Sequence, residues 1–334
     1  MGANYFKIAL RSLWRHKLYS SINIIGLAVG LTACLLMSLH VRHELTYDGF
    51  HKNAERIVRI TSFVKTPDAP LKLANSPAIL AAFLNRNYPD VEKAVRFKSI
   101  AATIQQGTQL FNEPDIFYAE QAVFEVFSYP LVAGNINQAL TKPNTAVLTQ
   151  ALAKKYFGQH DVIGQTLQIN KTPYEITGIL ADLPSNTDLK INALLSHDFS
   201  KAKDWVADDL YTFVLFHKQT DLAVFEKKLN AVTQRYIQSE LKKMDAEGYS
   251  MEFQIERLAD VHYSQEKLED TPKGNKQYSY LFSFLAVFVL VIFPPLQAQI
   301  QMPARQIKTL IRSIFIGPLS SQKFELYNPL PMYE

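Results

Sequence analysis

The feature that most constrains this chain is a long segment without any charged residue near its N-terminus. Between Lys17 and Arg42 lie 24 residues, Leu18–Val41, that include no Asp, Glu, Lys or Arg. As a helix this segment would be about 36 Å long, at roughly 1.5 Å per residue. That length exceeds the hydrocarbon core of a bilayer, which is about 30 Å thick. Residues 18–41 are therefore predicted to form a transmembrane helix.

A second uncharged segment, Gln277–Ala304, follows a long polar region. Its apolar part, residues 277–293, predicts a second transmembrane helix that is only marginally long enough to cross a bilayer. Pro294–Pro295 comes next. Because proline removes a backbone donor and clashes with the preceding turn, we expect these residues to interrupt the helix.

The basic residues beside the two apolar segments predict a topology. Residues 1–43 contain Lys and Arg but no acidic residue, and Arg305, Lys308 and Arg312 follow the second segment. Basic residues next to membrane segments tend to stay in the cytoplasm. Both ends are therefore predicted to be cytoplasmic, and residues 42–276 periplasmic, in a multi-pass protein of the inner membrane. Acidic and basic residues are mixed in that middle region, so no nucleic-acid-binding face is indicated.

The alternative for the first apolar segment is a cleaved signal peptide. Its apolar core is longer than that of a signal peptide, which usually has about 7–15 residues, and no cleavage site of small residues follows it. These features favour a membrane anchor. The single cysteine, Cys34, lies within this segment and is predicted to be a small packing residue.

Two local patterns predict contacts near the membrane. Residues 1–17 are predicted to form an amphipathic interfacial helix with a basic stripe of Lys7, Arg11 and Arg15, which are spaced four residues apart. A plain extension of the transmembrane helix is the alternative. Gly26 and Gly30 form a G-x-x-x-G pattern, on whose face another helix could pack closely.

Short strands alternate with helices in the polar region, so the sequence predicts an α+β periplasmic domain, with two lobes as one arrangement. The predicted strands are Arg56–Val64, Thr145–Leu148, Gln165–Asn170, Tyr174–Leu180, Tyr211–Phe216 and Met251–Leu258, and the predicted helices begin at Ser76–Pro77, Ala151 and Asp221. Ser76 is predicted to be an N-cap, Gly158 to end the second helix, and Asp221–Leu241 to form one amphipathic helix.

Motifs of known chemistry are absent or incomplete. No P-loop sequence occurs. His43–Glu44 begins like the zinc-protease motif H-E-x-x-H, but Tyr47 stands in place of the second histidine. His40 and His43 alone provide too few ligands for a closed metal site. Asp182 and Asp188 flank a loop, where acidic residues usually stabilise turns. We therefore expect no enzyme activity, no metal and no cofactor in this chain.

Several segments, in order along the chain, resemble the FtsX-like ABC-transporter permeases of the macrolide-exporter type, which carry a MacB-like periplasmic core domain. The resemblance covers about residues 1–293, and it is carried by Tyr5–Lys17, Ser21–Leu36, Leu45–Ile60, Phe117–Ala139, Pro143–Gly164, Tyr174–Pro184 and Gly274–Ile292. It implies a permease subunit that pairs with a separate ATPase chain, which binds the ATP, and that assembles as a homo- or heterodimer. It also implies that motion of the cytoplasmic subunits reaches the periplasmic domain, with periplasmic or outer-membrane proteins as further partners.

The resemblance ends after Phe293, and residues 294–334 form an atypical tail. This departure predicts a truncated or frame-shifted product, with a genuine short variant as the alternative. Two other functions stay open from the residues alone. The chain could be a two-span sensor, or a scaffold that binds envelope partners through its periplasmic domain.

Overall fold

The computed structural model describes residues 11, 14, 15, 17–159, 161–206, 208–264, 267, 268 and 270–300. The chain divides into two compact units, one of which is Arg42–Gln277, hereafter the domain. The other combines residues from before and after the domain. Lys7 of the predicted basic stripe and the tail from residue 301 lie outside the described residues, whereas Arg11 and Arg15 are helical.

The domain contains a mixed sheet. The strands are β1 (Ile57–Lys65), β2 (Leu71–Leu73), β3 (Ser76–Pro77), β4 (Val91–Gln106), β5 (Gln109–Ala119), β6 (Leu131–Gly134), β7 (Thr145–Thr149), β8 (Thr166–Ile169), β9 (Thr172–Leu180), β10 (Ala193–Ser196), β11 (Asp208–Phe216) and β12 (Ser250–Arg257). Over the described residues the strand order is β12-β1-β11-β4-β5-β10-β7-β9-β6, and β2, β3 and β8 pair beside this path. The β5–β10 and β7–β9 pairs are parallel.

Helices flank the sheet and extend beyond the domain. They are α1 (Lys17–Leu45), α2 (Ile79–Asn87), α3 (Val123–Val126), α4 (Gln150–Phe157), α5 (Leu222–Val232), α6 (Gln238–Lys243), α7 (Leu258–Val261) and α8 (Lys276–Ile300), with 3₁₀ turns at Ala54–Arg56 and Phe199–Lys201 and a π-helical turn at Thr233–Ile237. The mixed strands and separate helices confirm the predicted α+β fold.

The described core of the domain consists of three apolar clusters. One includes Leu84 of α2 and Phe225 of α5, and another includes Leu152 of α4 and Ile176 of β9. The third contains Phe97, Phe117, Phe127 and Phe213. Phe97 lies edge-to-face with the other three rings of this third cluster, at centroid distances of 5.5–6.2 Å. Such edge-to-face pairs add stability beyond the burial of their area.

The β7–α4 unit follows from its local sequence. The Thr149 hydroxyl accepts a hydrogen bond from the Leu152 amide at 3.3 Å and caps the start of α4. Gly158 ends the helix in the left-handed conformation, with φ of 72°. Both the predicted helix and its glycine stop are confirmed.

The predicted N-cap at Ser76 is wrong. Ser76–Pro77 forms strand β3, which pairs with β11, and α2 begins at Ile79 without a side-chain cap. Ser76 is fully buried, and its hydroxyl donates to the Thr212 hydroxyl at 2.8 Å. A buried hydroxyl needs a partner. Pairing with the sheet supplies that partner, so the sheet contact outweighs the local capping preference.

The predicted helix Asp221–Leu241 is interrupted. Asp221 caps α5 by accepting from the amides of Ala223 and Val224, but a π-helical turn separates α5 from α6. The turn inserts one extra residue into the helical spacing, and Tyr236 within it stacks on Trp205 with centroids 4.9 Å apart. The aromatic packing explains the departure from a regular helix.

Helices α1 and α8 contact each other in the second unit. Cys34 is buried, and its thiol donates to the backbone oxygen of Ala286 at 3.4 Å. Over Ser20–Leu45, α1 is long and apolar enough to cross a membrane, whereas the apolar helix Lys276–Val291 is shorter. The second transmembrane span at residues 277–293 stays a prediction.

The predicted interruption of the helix at Pro294–Pro295 is wrong, because α8 continues to Ile300. Two prolines remove only their own two backbone donors, and the remaining hydrogen bonds of the flanking turns can hold a helix together.

Candidate functional site

The two chain segments that begin and end the domain are bonded to each other. Glu44 lies in the last turn of α1, and its side-chain oxygen is 3.1 Å from Nε2 of His262. The Tyr263 hydroxyl donates to the backbone oxygen of Glu44 at 2.7 Å. The amide of Gly274, two residues before α8, donates to the backbone oxygen of His262 at 2.9 Å. Residues more than 200 positions apart therefore share one site.

Asp188 lies at the centre of this site. Lys273 Nζ is 2.9 and 2.8 Å from its two carboxylate oxygens, and the Thr271 hydroxyl donates to it at 2.7 Å. Burial alone would raise the pKa of Asp188. The neighbouring His262, the Lys273 charge and the hydrogen bonds instead lower that pKa to about 2. Asp188 is therefore ionised at any physiological pH.

Arg59 extends the site into the sheet. Its guanidinium, which is 1% exposed, is 2.7–3.0 Å from the Glu256 carboxylate of β12 and 2.7–2.8 Å from the Asp270 carboxylate. Asp270 is in turn 3.0 Å from Nζ of Lys273. We call the connected set the Asp188 network; its members are Glu44, Arg59, Asp188, Glu256, His262, Asp270, Thr271 and Lys273.

A second carboxylate, Asp48, lies beside the network. The Thr187 hydroxyl donates to Asp48 at 2.6 Å, and the Asp188 amide donates at 3.2 Å. Burial, together with the negative charge of Asp188, raises the pKa of Asp48 to about 6 despite these hydrogen bonds. The loop that carries Asp188 also holds Thr46, because Asn186 donates to the backbone oxygen of Thr46 at 3.0 Å. The chain just after α1 is thus fixed from two sides.

The members of the Asp188 network contact one another beside a small cavity. Their charged groups are bonded to one another, and the Tyr47 ring stacks on His262 with centroids 3.3 Å apart. The neighbouring cavity of about 280 Å³ is small. Among the described residues, no group of three or more His, Cys, Asp and Glu is placed so that it could hold a metal ion.

Of the individual candidates from the sequence, Glu44 and Asp188 belong to the Asp188 network, and the other described ones lie elsewhere. Gly30 is buried and Gly26 half-buried on α1. Their role in helix packing stays a prediction, as does the basic stripe. His51 is buried, and its Nδ1 accepts a hydrogen bond from the Ser128 amide at 3.1 Å. Asp182 accepts from the Ala151 amide, as a loop residue does. The turn role predicted for Asp188 is wrong, because Lys273 and Thr271 are far from it in sequence.

Sequence reasoning missed Arg59, His262, Asp270 and Lys273. Arg59 gave one usable signal, since a charge between apolar strand residues requires a buried partner. The other three residues lie in or next to polar loops, where a charge carries no information about its partner.

The comparisons identify the family. A family model described as the MacB-like periplasmic core domain matches residues 20–232. The chain belongs to this family. This domain is a component of ABC-type transporter permeases, and membership places the chain at a membrane.

Three solved structures are similar to this chain, and the first of them shares its fold. A domain of a protein described as a permease from Porphyromonas gingivalis is 17% identical, with a TM-score of 0.55 over 70% of this chain and 98% of that chain. The periplasmic region of MacB from Actinobacillus actinomycetemcomitans is 13% identical, with a TM-score of 0.42 over 59% of this chain and 88% of that chain. The extracellular domain of the ABC-type transporter YknZ from Gram-positive bacteria is 14% identical, with a TM-score of 0.39 over 58% of this chain and 98% of that chain. No curated protein matches the chain.

Proposed function

We propose that this chain is the permease subunit of an ABC-type export or mechanotransmission system. A separate cytoplasmic ATPase drives α1 and α8, and the Asp188 network carries their motion into the periplasmic domain. Both ends of the chain lie in the cytoplasm, the domain lies in the periplasm, and two permease chains pair in the inner membrane.

One observation carries the proposal. The Asp188 network links Glu44, in the chain that enters the domain, to Lys273, in the chain that leaves it, through His262, which lies 3.1 Å from Glu44 and 3.7 Å from Asp188. Lys273 is linked to the central sheet through Asp270 and Arg59. Because the Lys273–Asp188 and Arg59–Asp270 pairs each have two short contacts, which are directional, displacement of the chain that leaves the domain is carried to the sheet instead of being absorbed in a loop.

The first test identifies the partner. The full chain, expressed in its native membranes with an affinity tag, is crosslinked and purified, and its partners are identified by mass spectrometry. We expect an ABC-type ATPase. Recovery of a signalling protein without any ATPase would contradict the proposal and favour the sensor alternative.

The second test measures coupling, with Lys273→Met as the variant. This variant removes the ammonium group from Asp188 but keeps its Thr271 hydrogen bond, and it should still copurify with the ATPase. We expect ATP to change the hydrogen exchange of domain amides in the wild-type complex but not in the variant complex. Lys276→Met is the matched control, because the contacts of Lys276, at 3.8 Å with the exposed Asp260 and at 5.6 Å with the Tyr263 ring, include no member of the network. A Lys273→Met complex with a full ATP-dependent change would contradict transmission through the network.

The third test addresses topology. Thr108, which is exposed in the turn between β4 and β5, is changed to Cys in a Cys34→Ala background. A membrane-impermeant maleimide should label this residue in intact cells with a permeabilised outer membrane. Ala3→Cys should be labelled only after lysis. The reverse pattern would exclude a periplasmic domain.

A further inference from the structure

A larger cavity, of about 900 Å³, lies in the domain between the segment that follows β10 and the segment that precedes β7. Ligand sites for small molecules commonly have volumes of about 300–1,000 Å³. We call this cavity the cationic cleft, and define it by the lining residues Lys98, Lys142, His197, Phe199 and Lys201. The Asp188 network includes none of them.

The described lining of the cleft has an excess of positive charge. It contains three lysines, Lys98, Lys142 and Lys201, and one carboxylate, Asp198. Asp198 already accepts a hydrogen bond from the Ser200 amide at 2.9 Å. Burial lowers the pKa of His197, and the positive charges of Lys98 and Arg96 lower it further against the opposing charge of Asp198. A cleft whose lining carries more positive than negative charge attracts anions.

Aromatic rings form one wall of the same cleft. His197 lies between Tyr118 and Phe199, with centroid distances of 4.7 and 4.6 Å. The Tyr118 hydroxyl is hydrogen-bonded to Tyr174, which also lines the cavity. The rings are tilted against each other, by 33° and 59°, and together with the lysines they place an apolar surface and a cationic group within one cavity. Such a surface can accept the body of an organic molecule while the lysines accept its charge.

Buried contacts hold the walls in place. Arg96 donates to the backbone oxygen of Ala78 at 2.7 Å, and its guanidinium lies 4.8 Å from the Phe199 ring centroid. Ala78 and Phe199 line the cleft, and the Glu120 carboxylate, which does not, pairs with the same guanidinium at 3.0 Å. On the facing segment, Gln121 accepts from the Leu140 amide at 2.7 Å and Ser196 accepts from the Thr145 amide at 3.0 Å. A preformed site of this kind loses little conformational entropy when a ligand binds.

We propose that the cationic cleft binds a small organic anion with an aromatic or other apolar body. The lysines hold its carboxylate, sulfonate or phosphate group, and the ring wall formed by Tyr118, His197 and Phe199 packs against its body. Binding at this cleft is independent of the proposed coupling through the Asp188 network.

The test is equilibrium dialysis of the full chain in zwitterionic nanodiscs, with empty nanodiscs as the blank. Naphthalene-2-sulfonate is the anionic probe, and naphthalene-2-carboxamide is the neutral probe with the same ring system. We expect one sulfonate per chain and at least tenfold weaker binding of the carboxamide. Equal affinity for the two probes would overturn the proposal, and so would displacement of the sulfonate probe by equimolar inorganic sulfate.

Variants locate the site. Lys201→Gln and Lys98→Gln should each weaken sulfonate binding at least fivefold, and Ala202→Trp, which fills the cleft without changing its charge, should abolish it. Lys227→Gln is the matched control, because Lys227 is an exposed residue of α5 that does not line the cleft. Unchanged binding in both Lys201→Gln and Ala202→Trp would place the probe elsewhere and overturn the proposal.

A second dialysis in phosphatidylglycerol nanodiscs distinguishes two sources of the ligand. Competition by this anionic lipid would identify a lipid headgroup with its attached chains, whereas unchanged sulfonate binding would identify a dissolved organic anion. Absence of sulfonate binding in both kinds of nanodisc would refute the site.

Discussion

Arg59 is a fully buried guanidinium within a strand, and its position is stable because two carboxylates surround it. Glu256 and Asp270 each accept from two of its nitrogens. Burial alone would lower the pKa of Arg59, but both carboxylates raise it, so the charge is permanent. Removing one partner of such a pair leaves an uncompensated buried charge and typically costs about 3–5 kcal/mol. The Asp188 network therefore resists partial rearrangement.

Gly274 is predicted to be intolerant of a side chain. A Cβ atom at this position would lie 2.2 Å from Nε2 of His262 and 2.6 Å from the Glu44 carboxylate. We expect Gly274→Ala to separate His262 from Glu44 and to lower the free energy of unfolding by about 1–3 kcal/mol, as overpacked sites do. The measurement is urea unfolding of the full chain in detergent, followed by Trp205 fluorescence in a Trp14→Phe background.

Gly49→Ala is the control for this substitution. Its Cβ would meet the backbone oxygen of Thr46 at 3.3 Å, a much milder contact. Equal losses in the two variants would show that the crowding at Gly274 is relieved without breaking the network.

His51 is predicted to make the domain sensitive to acid. Burial lowers its pKa from 6.5 to about 4, so the folded state binds this proton more weakly than the unfolded state does. The contribution of His51 to the free energy of unfolding is therefore fully present above pH 6.5, and it is lost as the pH falls toward 4. This loss is about 3 kcal/mol. The difference in unfolding free energy between wild type and His51→Asn should shrink over that pH range, as measured by urea unfolding.

Asp48 acts in the opposite direction, because its pKa is raised from 3.8 to about 6. The folded state binds the Asp48 proton more tightly than the unfolded state does. The contribution of protonated Asp48 to the free energy of unfolding is therefore fully present below pH 3.8 and is lost as the pH rises through 6. Comparison of His51→Asn with wild type removes the Asp48 effect, which both proteins share. A difference between wild type and His51→Asn that stays constant with pH would contradict the assignment.

At the scale of elements, the local sequence determines the turn of the β8–β9 hairpin. Asn170 and Lys171 form its turn, both with positive φ, of 49° and 64°. Two consecutive residues of this kind are typical of a type I′ turn, which favours Asn-Gly. Lys171 therefore adopts a conformation that a residue with a Cβ atom adopts only with strain.

Lys171→Gly is expected to stabilise the domain by about 0.5–1 kcal/mol, because glycine adopts this conformation without strain. Urea unfolding provides the measurement. Lys154→Gly is the matched control, since the same substitution on the exposed face of α4 should destabilise by about 1 kcal/mol. Destabilisation by Lys171→Gly would show that the side chain contributes contacts that outweigh its backbone strain.

At the scale of the whole molecule, α1 and α8 bring together chain segments that are separated by the domain. Cys34 and Ala286 are 252 positions apart and in contact. Gly30 lies one turn before Cys34 on the same face of α1. Helix pairs in lipid rely on such close contacts, since lipid tails provide no hydrophobic driving force between helices.

The pairing of α1 with α8 can be tested with the native cysteine. Ala286→Cys is expected to form an intramolecular disulfide with Cys34 under copper–phenanthroline oxidation in membranes, because the Cys34 thiol lies 3.4 Å from the backbone oxygen of Ala286. The bond is detected after proteolysis between the helices, which leaves the fragments joined until they are reduced. Val287→Cys, whose position is 60% exposed, is the control. Equal crosslinking at both positions would contradict a fixed helix pair.

Strong local patterns in the sequence predicted much of the fold. The strands β1 and β11, the glycine stop at Gly158 and the buried face of α5 were predicted from neighbouring residues alone, although β1 is buried on both faces and does not alternate as predicted. The predictions of an N-cap at Ser76 and of a regular helix over Asp221–Leu241 failed. The buried Ser76 hydroxyl and the Tyr236–Trp205 stack depend on partners more than 30 positions away in sequence.

The residues by themselves determined the α+β class, the apolar helix α1 and the resemblance to ABC-type permeases, because these follow from periodicity, uncharged length and ordered local segments. Only the tertiary structure decided that Asp188 meets Lys273 and His262, and that lysines and rings line one cleft. Charged loop residues carry no local signal of their partners. Their pairing is fixed only when the sheet, formed by contacts across the whole domain, brings distant loops within the few ångströms over which charges and hydrogen bonds act.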